Sequence, residues 1–169
     1  MGKTVKVSSD LALMLNGINQ DPTDRVQLVV TADMADEQGE ASLATMLRTI
    51  AKTIYPSVLP TGSRVYGIPT PDSDWDWVLQ CTFTAVLSMN ADEITTTQPE
   101  DLGTLGIDYS MRFGPVNLLV VTTLTQFNAW LQGTKQLIAE CPVVRDRAVE
   151  VFQEYFRASH LGETHGGVS

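Results

Sequence analysis

The run Gly62-Ser63-Arg64-Val65-Tyr66-Gly67 is followed closely by Asp72-Ser73-Asp74-Trp75-Asp76-Trp77. A glycine-serine pair offers close backbone approach, successive N–H groups and a hydroxyl, the ingredients of an anion-binding nest. Two carboxylates spaced two apart offer hard oxygen ligands to a divalent cation such as magnesium, which keeps several waters and completes its shell with phosphates. Alone, neither half is specific, since Gly-Ser is common in turns and Asp-Ser-Asp in caps. In this order and at this spacing they describe one chemistry, metal-assisted attack on a nucleoside triphosphate.

That chemistry needs elements to carry it. Trp75, Trp77, Val78 and Leu79 favour an extended conformation. In a strand, residues two apart share a face, so Asp74 and Asp76 lie on one side and Trp75 and Trp77 on the other. The tryptophans are then free to be buried while the carboxylates face a ligand. Ser63 lies eleven positions before Asp74, room for a turn and a short helix or loop that returns the chain to the aspartate strand. Val58-Leu59 begins the strand leading into the turn. Arg64 has two readings, a cation near the phosphates or a side chain bonded to its own loop.

Gly62-Ser63-Arg64-x-Tyr66-Gly67, the run Thr70-Pro71-Asp72-Ser73-Asp74-x-Asp76 and the helix before them resemble the nucleotidyltransferase domain of the DNA polymerase beta superfamily, over about residues 40–160. In that superfamily the Gly-Ser turn holds the triphosphate and the first two acidic residues bind the metals. The resemblance therefore implies Gly62, Ser63 and Arg64 for the nucleotide, and Asp74 and Asp76 as metal ligands and catalytic residues. It implies Mg2+ or Mn2+ as cofactor and transfer of a nucleoside monophosphate from a triphosphate to an acceptor hydroxyl, releasing pyrophosphate. The acceptor (protein, small molecule or RNA), the nucleotide and the oligomeric state stay open. Phe113 to Val121 followed by a tryptophan-bearing helix is similar to phage-encoded versions, which would place the protein in a host cytoplasm.

One position departs from that pattern. The superfamily's third carboxylate sits on a later apolar strand, and the matching strand, Val116 to Thr122, carries Asn117 there. An asparagine amide takes no proton and is a weaker, neutral ligand. Asp108, on the polar side of the preceding strand, is the substitute candidate. Asn117 keeps two other expectations open: a nucleotide-binding or host-factor-binding protein on the same fold without turnover, and a structural module whose motif is only a capped turn.

The bulk composition fits one domain. The chain has 169 residues, 43% of them hydrophobic and 18% charged, enough for a real core. No apolar run reaches membrane-spanning length, and Met1-Gly2-Lys3-Thr4-Val5-Lys6 lacks a signal peptide's apolar segment. Cys81 and Cys141 adjoin apolar segments and are expected to be reduced core thiols, so a cytoplasmic setting is expected. A net charge of −9 argues against bulk attraction to nucleic acid, leaving Arg64, Arg112 and Lys135 as candidates for a local basic patch.

The expected fold is α+β, a nucleotidyltransferase-like short mixed β-sheet with helices packed on one side and an N-terminal helical extension. The expected divisions are 1–39 for the extension, 40–160 for the domain and 161–169 for a flexible tail. A first helix covers 8–19, capped by Ser8-Ser9, with Leu11, Met14, Leu15 and Ile18 at helical spacing. Asp21-Pro22 is a cap for a second helix presenting Val26, Val29 and Val30, although that run also reads as a strand. Asp33 to Glu40 is expected to be a loop. Leu43, Met46, Leu47, Ile50 and Ile54 give an amphipathic helix from Ala41 to Pro56. Residues 90–106 form a long surface excursion, and Gly114-Pro115 turns a hairpin. A helix over 123–139 holds Trp130 in the core, and a last one from Val143 turns Val144, Ala148, Val151, Phe152, Tyr155 and Phe156 inward. His160 and His165 lie in the tail without the spacing of a metal site.

Overall fold

The computed structural model describes residues 7–96 and 106–166. Among the described residues it is an α+β fold of seven helices and a five-stranded mixed sheet. The helices are α1 (Ser9–Gln20), α2 (Arg25–Glu37), α3 (Ala41–Lys52), α4 (Ser63–Tyr66), α5 (Phe83–Ser88), α6 (Leu124–Glu140) and α7 (Arg145–Gly166). The strands are β1 (Ser57–Thr61), β2 (Trp75–Gln80), β3 (Glu93–Thr96), β4 (Tyr109–Phe113) and β5 (Val116–Val121). Their order across the sheet is β1-β2-β5-β4-β3, with β2 and β5 parallel and every other neighbouring pair antiparallel.

Period-two alternation sorts the strands onto two faces. Trp75, Trp77 and Leu79 of β2, with Val116, Leu118 and Val120 of β5, enter a core shared with α1, α2 and α3. Two hydrogen bonds tie that layer to the sheet, from Trp75 Nε1 to Asn16 Oδ1 (3.0 Å) and from Trp77 Nε1 to Asn19 Oδ1 (2.8 Å). The N-terminal helices thus belong to the same core as the strand that carries the acids. The intervening residues Val78, Leu119 and Val121 face the other way and pack with Trp130, Leu137, Val151 and Phe152 of α6 and α7. Trp130 is in the core, as its spacing implies.

Several local expectations change. The second helix forms, capped by Asp24 rather than Asp21, but it buries Leu28, Thr31, Ala32 and Ala35. Val26, Val29 and Val30 are exposed. Ala32 and Ala35 are fully buried in the core that also holds Leu28 of α2 and Ala44 of α3, and small residues suit the packing of one helix on another. The same helix runs on to Glu37, through the acidic stretch expected as a loop, with Ala35 buried and Met34 packed against the core and Asp33 and Asp36 paired at the surface with Arg48 of α3. α3 stops at Lys52, leaving Ile54 exposed. Val144 is exposed, just before α7. Cys81 packs against the core, but Cys141 is exposed, and neither is in a disulfide. β3 lies within the expected 90–106 excursion, whose residues 97–105 are outside the described residues. α7 continues through the backbone of His160 and His165, where a tail was expected, and 167–169 lie outside the description. Among the described residues no helix is long and apolar enough to cross a membrane.

Candidate active site

β1 ends in Thr61, and the chain turns through Gly62 into the single turn of α4. Gly62 has φ +79° and ψ −168°, a conformation open essentially to glycine alone. It accepts the α4 backbone bonds from Val65 and Tyr66 through its carbonyl. The absence of a side chain there matters twice, because a Cβ on Gly62 would lie 2.3 Å from Oδ2 of Asp76 and 3.0 Å from its Cβ. The bend and the carboxylate are in direct contact.

The sheet register builds the rest. Thr61 pairs with Asp76, Asp76 with Asn117, and Asn117 with Arg112. Paired residues project to the same side, so these four form a row across the sheet on the face opposite the tryptophans. Thr61 is anchored to α6 by a buried 2.9 Å hydroxyl pair with Thr134. Asp74 lies just ahead of β2. Gly62, Ser63, Asp74, Asp76 and Asn117 all line one cavity of about 450 Å³. Tyr66, Leu119, Trp130 and Phe152 also line it, with Arg145 from the start of α7. The bend and both acids therefore share a pocket.

Each acid already has a protein partner. Arg112 grips Asp74 with both ends of its guanidinium, Nη1 to Oδ1 at 3.2 Å and Nη2 to Oδ2 at 2.9 Å. It also donates to the carbonyl of Gly114 at 3.3 Å. Asn117 donates through Nδ2 to Asp76 Oδ1 at 3.4 Å and accepts from Ser110 Oγ at 3.0 Å. Burial, then the neighbouring charge of Asp74, pushes the Asp76 carboxyl up to about 6. Asn117, Arg112 and Arg145 pull the other way and do not offset that rise.

Two candidates are placed differently. Arg64 does not line the cavity. Its guanidinium lies 3.5 Å from the Trp75 ring centroid and donates to the carbonyls of Ser73 and Thr70, which locks the loop between the two motifs. Asp108 is on the same side of the sheet but at its far end. Because β4 runs antiparallel to β5, the residue before β4 meets the end of β5, not Asn117. Asp108 accepts there from the backbone N–H and hydroxyl of Thr122 and from Gln126 Nε2. Lys135 is exposed on α6, while Arg64 and Arg112 are each engaged by protein partners, Arg64 by loop carbonyls and Arg112 by Asp74.

Arg145 was not singled out along the chain, and Arg112 only as a basic-patch candidate, not as a partner of the acids. The pattern put Arg112 on the polar side of its strand, and only the pairing with β5 brings it to Asp74, 38 positions away. Among the described residues no group of three or more His, Cys, Asp or Glu side chains is arranged around a common metal position. No family model matches the chain, and neither a curated protein nor a solved structure is significantly similar to it.

Proposed function

We propose that the protein is a metal-dependent nucleotidyltransferase, moving a nucleoside monophosphate from a triphosphate to an acceptor hydroxyl with release of pyrophosphate. The observation that carries this reading is the contact between Gly62 and Asp76 in a cavity that also holds Ser63 and Asp74. A phosphate-type bend and a carboxylate pair in contact are what such a transfer requires, since its catalysis is positioning plus charge neutralisation.

The donor set suits a hard divalent cation. Asp74 and Asp76 supply anionic oxygens on one wall, and the raised Asp76 carboxyl marks a site that a cation would relieve. Bound there, Mg2+ or Mn2+ would supply the charge that a polyphosphate and its leaving group need. The chain's own part is positional. Gly62 lets the backbone approach a phosphate, and Ser63 adds a hydroxyl at the start of α4. Asn117 holds the Asp76 carboxylate through its amide and takes no proton itself.

Asn117 and the Arg112–Asp74 pair favour a second reading, nucleotide binding without turnover. Labelled nucleoside triphosphates with Mg2+ or Mn2+ and a cell extract separate the two. Label on an acceptor with pyrophosphate release, both lost in Asp76→Ala, is the expected result. Metal-dependent binding by calorimetry with no pyrophosphate over hours selects the binder. Absence of any metal-dependent nucleotide binding defeats both and leaves the motif as a capped turn.

A further inference from the structure

We infer that Arg112 is an internal counter-ion of the cation site, so that the protein takes up divalent metal as a metal–polyphosphate chelate and not as the free ion. This rests on the reading of Asp74 and Asp76 as metal ligands. Both oxygens of Asp74 are engaged by one guanidinium in the paired-fork geometry that makes arginine–carboxylate bonds strong. A free cation must break that fork and then sit beside the displaced guanidinium. Its reward is small, because Asn117 contributes no charge where a third carboxylate would: Asp74, Asp76 and Arg112 together carry a formal charge of −1.

A chelate changes the balance. Its phosphate oxygens offer the Arg112 fork the same planar, bidentate acceptor that Asp74 provides. Arg112 can therefore pass from carboxylate to phosphate without losing its hydrogen bonds, and Asp74 is released to the metal in the same exchange. The pair is about two-fifths open to solvent on each side, so the exchange needs no disruption of the core. Arg145 lines the same cavity and has no ion pair or side-chain hydrogen bond among the described residues. It is a second cation facing the place where a polyphosphate would lie. Arg112, behind the cavity on Asp74, and Arg145, on its lining, make the site receptive to a chelate that is itself negatively charged, and unreceptive to a bare dication.

Mn2+ is the probe, followed by electron paramagnetic resonance and water-proton relaxation, with inorganic tripolyphosphate supplying the polyphosphate. Wild-type protein is expected to bind free Mn2+ weakly and to hold it at least tenfold more tightly once tripolyphosphate is added. Arg112→Gln is expected to bind free Mn2+ at least tenfold more tightly than wild type and to lose most of that dependence on tripolyphosphate. Arg112→Lys, which keeps the charge without the fork, should fall between them and serves if the glutamine variant does not fold by circular dichroism. The inference is overturned if a folded Arg112 variant binds free Mn2+ no better than wild type, or if wild type needs no tripolyphosphate. If Mn2+ binds and Asp74→Ala abolishes it while the Arg112 variants change nothing, only this inference falls. If Mn2+ binds in no condition, the nucleotidyltransferase reading falls with it.

Discussion

Replacing Gly62 with alanine tests whether the bend and the carboxylate are built against each other. Two costs add. Gly62 holds φ +79° and ψ −168°, a region in which a non-glycine residue costs about 1–3 kcal/mol. The new Cβ would also stand 2.3 Å from Asp76 Oδ2 and 3.0 Å from Asp76 Cβ. The oxygen can rotate away, but the Cβ is fixed to β2, so strand or bend must shift, at about 1–3 kcal/mol for overpacking of this kind. Gly39→Ala isolates the backbone cost. Gly39 has φ +80°, and a Cβ there meets nothing within 4 Å, so only about 1–2 kcal/mol is expected. Gly62→Ala should therefore be about 2 kcal/mol less stable than Gly39→Ala, roughly 4–8 °C in melting temperature for a domain of this size. Urea denaturation of both variants measures the difference, and binding of Mn2+ with tripolyphosphate reads the site. Gly39→Ala should bind like wild type, and Gly62→Ala should not. Equal stability of the two variants would refute the argument from close contact.

Three further outcomes follow from the same geometry. Asp76 titrates near 6 in the folded protein against 3.8 for the ordinary group, so the folded state binds the extra proton between those values. Its contribution to stability is then present below about 4 and lost as pH rises through 6. Asp76→Asn should consequently stabilise the metal-free protein at pH 7 by about 1–2 kcal/mol, less than the full shift implies because the cavity is open to water. Its advantage should vanish near pH 4 in urea melts, and an advantage constant with pH would refute the assignment. Asn117→Asp places a third acid beside Asp76, destabilising the metal-free protein by about 1–2 kcal/mol and tightening Mn2+ binding at least tenfold. Unchanged Mn2+ affinity would count against a cation site on this wall. Trp77→Phe removes the 2.8 Å bond to Asn19 and should cost about 1–2 kcal/mol in urea unfolding, with nucleotide binding retained because Trp77 faces away from the cavity.

What was legible along the chain was what local periodicity encodes. Alternation in Asp74-Trp75-Asp76-Trp77 determined that the acids and the tryptophans part to opposite faces, because the side-chain period of a strand is two whatever the strand packs against. The Gly-Ser bend, the Gly114-Pro115 hairpin and the helix over α6 were equally local. The face of α2 was not, since Val29 and Val30 are as apolar as the residues that were buried. That face was decided by packing against other helices, which buried Leu28, Ala32 and Ala35. The helical fate of Asp33 to Glu37 went with the burial of Ala35 and Met34 against residues distant in the chain.

The site divides along the same line. Sequence alone determined which residue types could meet a phosphate and a cation, and that Asn117 stands where a third acid was expected. Only the tertiary structure decided that Arg64 locks a loop, that Asp108 sits at the wrong end of the sheet, and that Arg112 reaches Asp74. Those outcomes depend on strand order and register, which join residues tens of positions apart through backbone pairing. No short-range pattern of side chains carries that information.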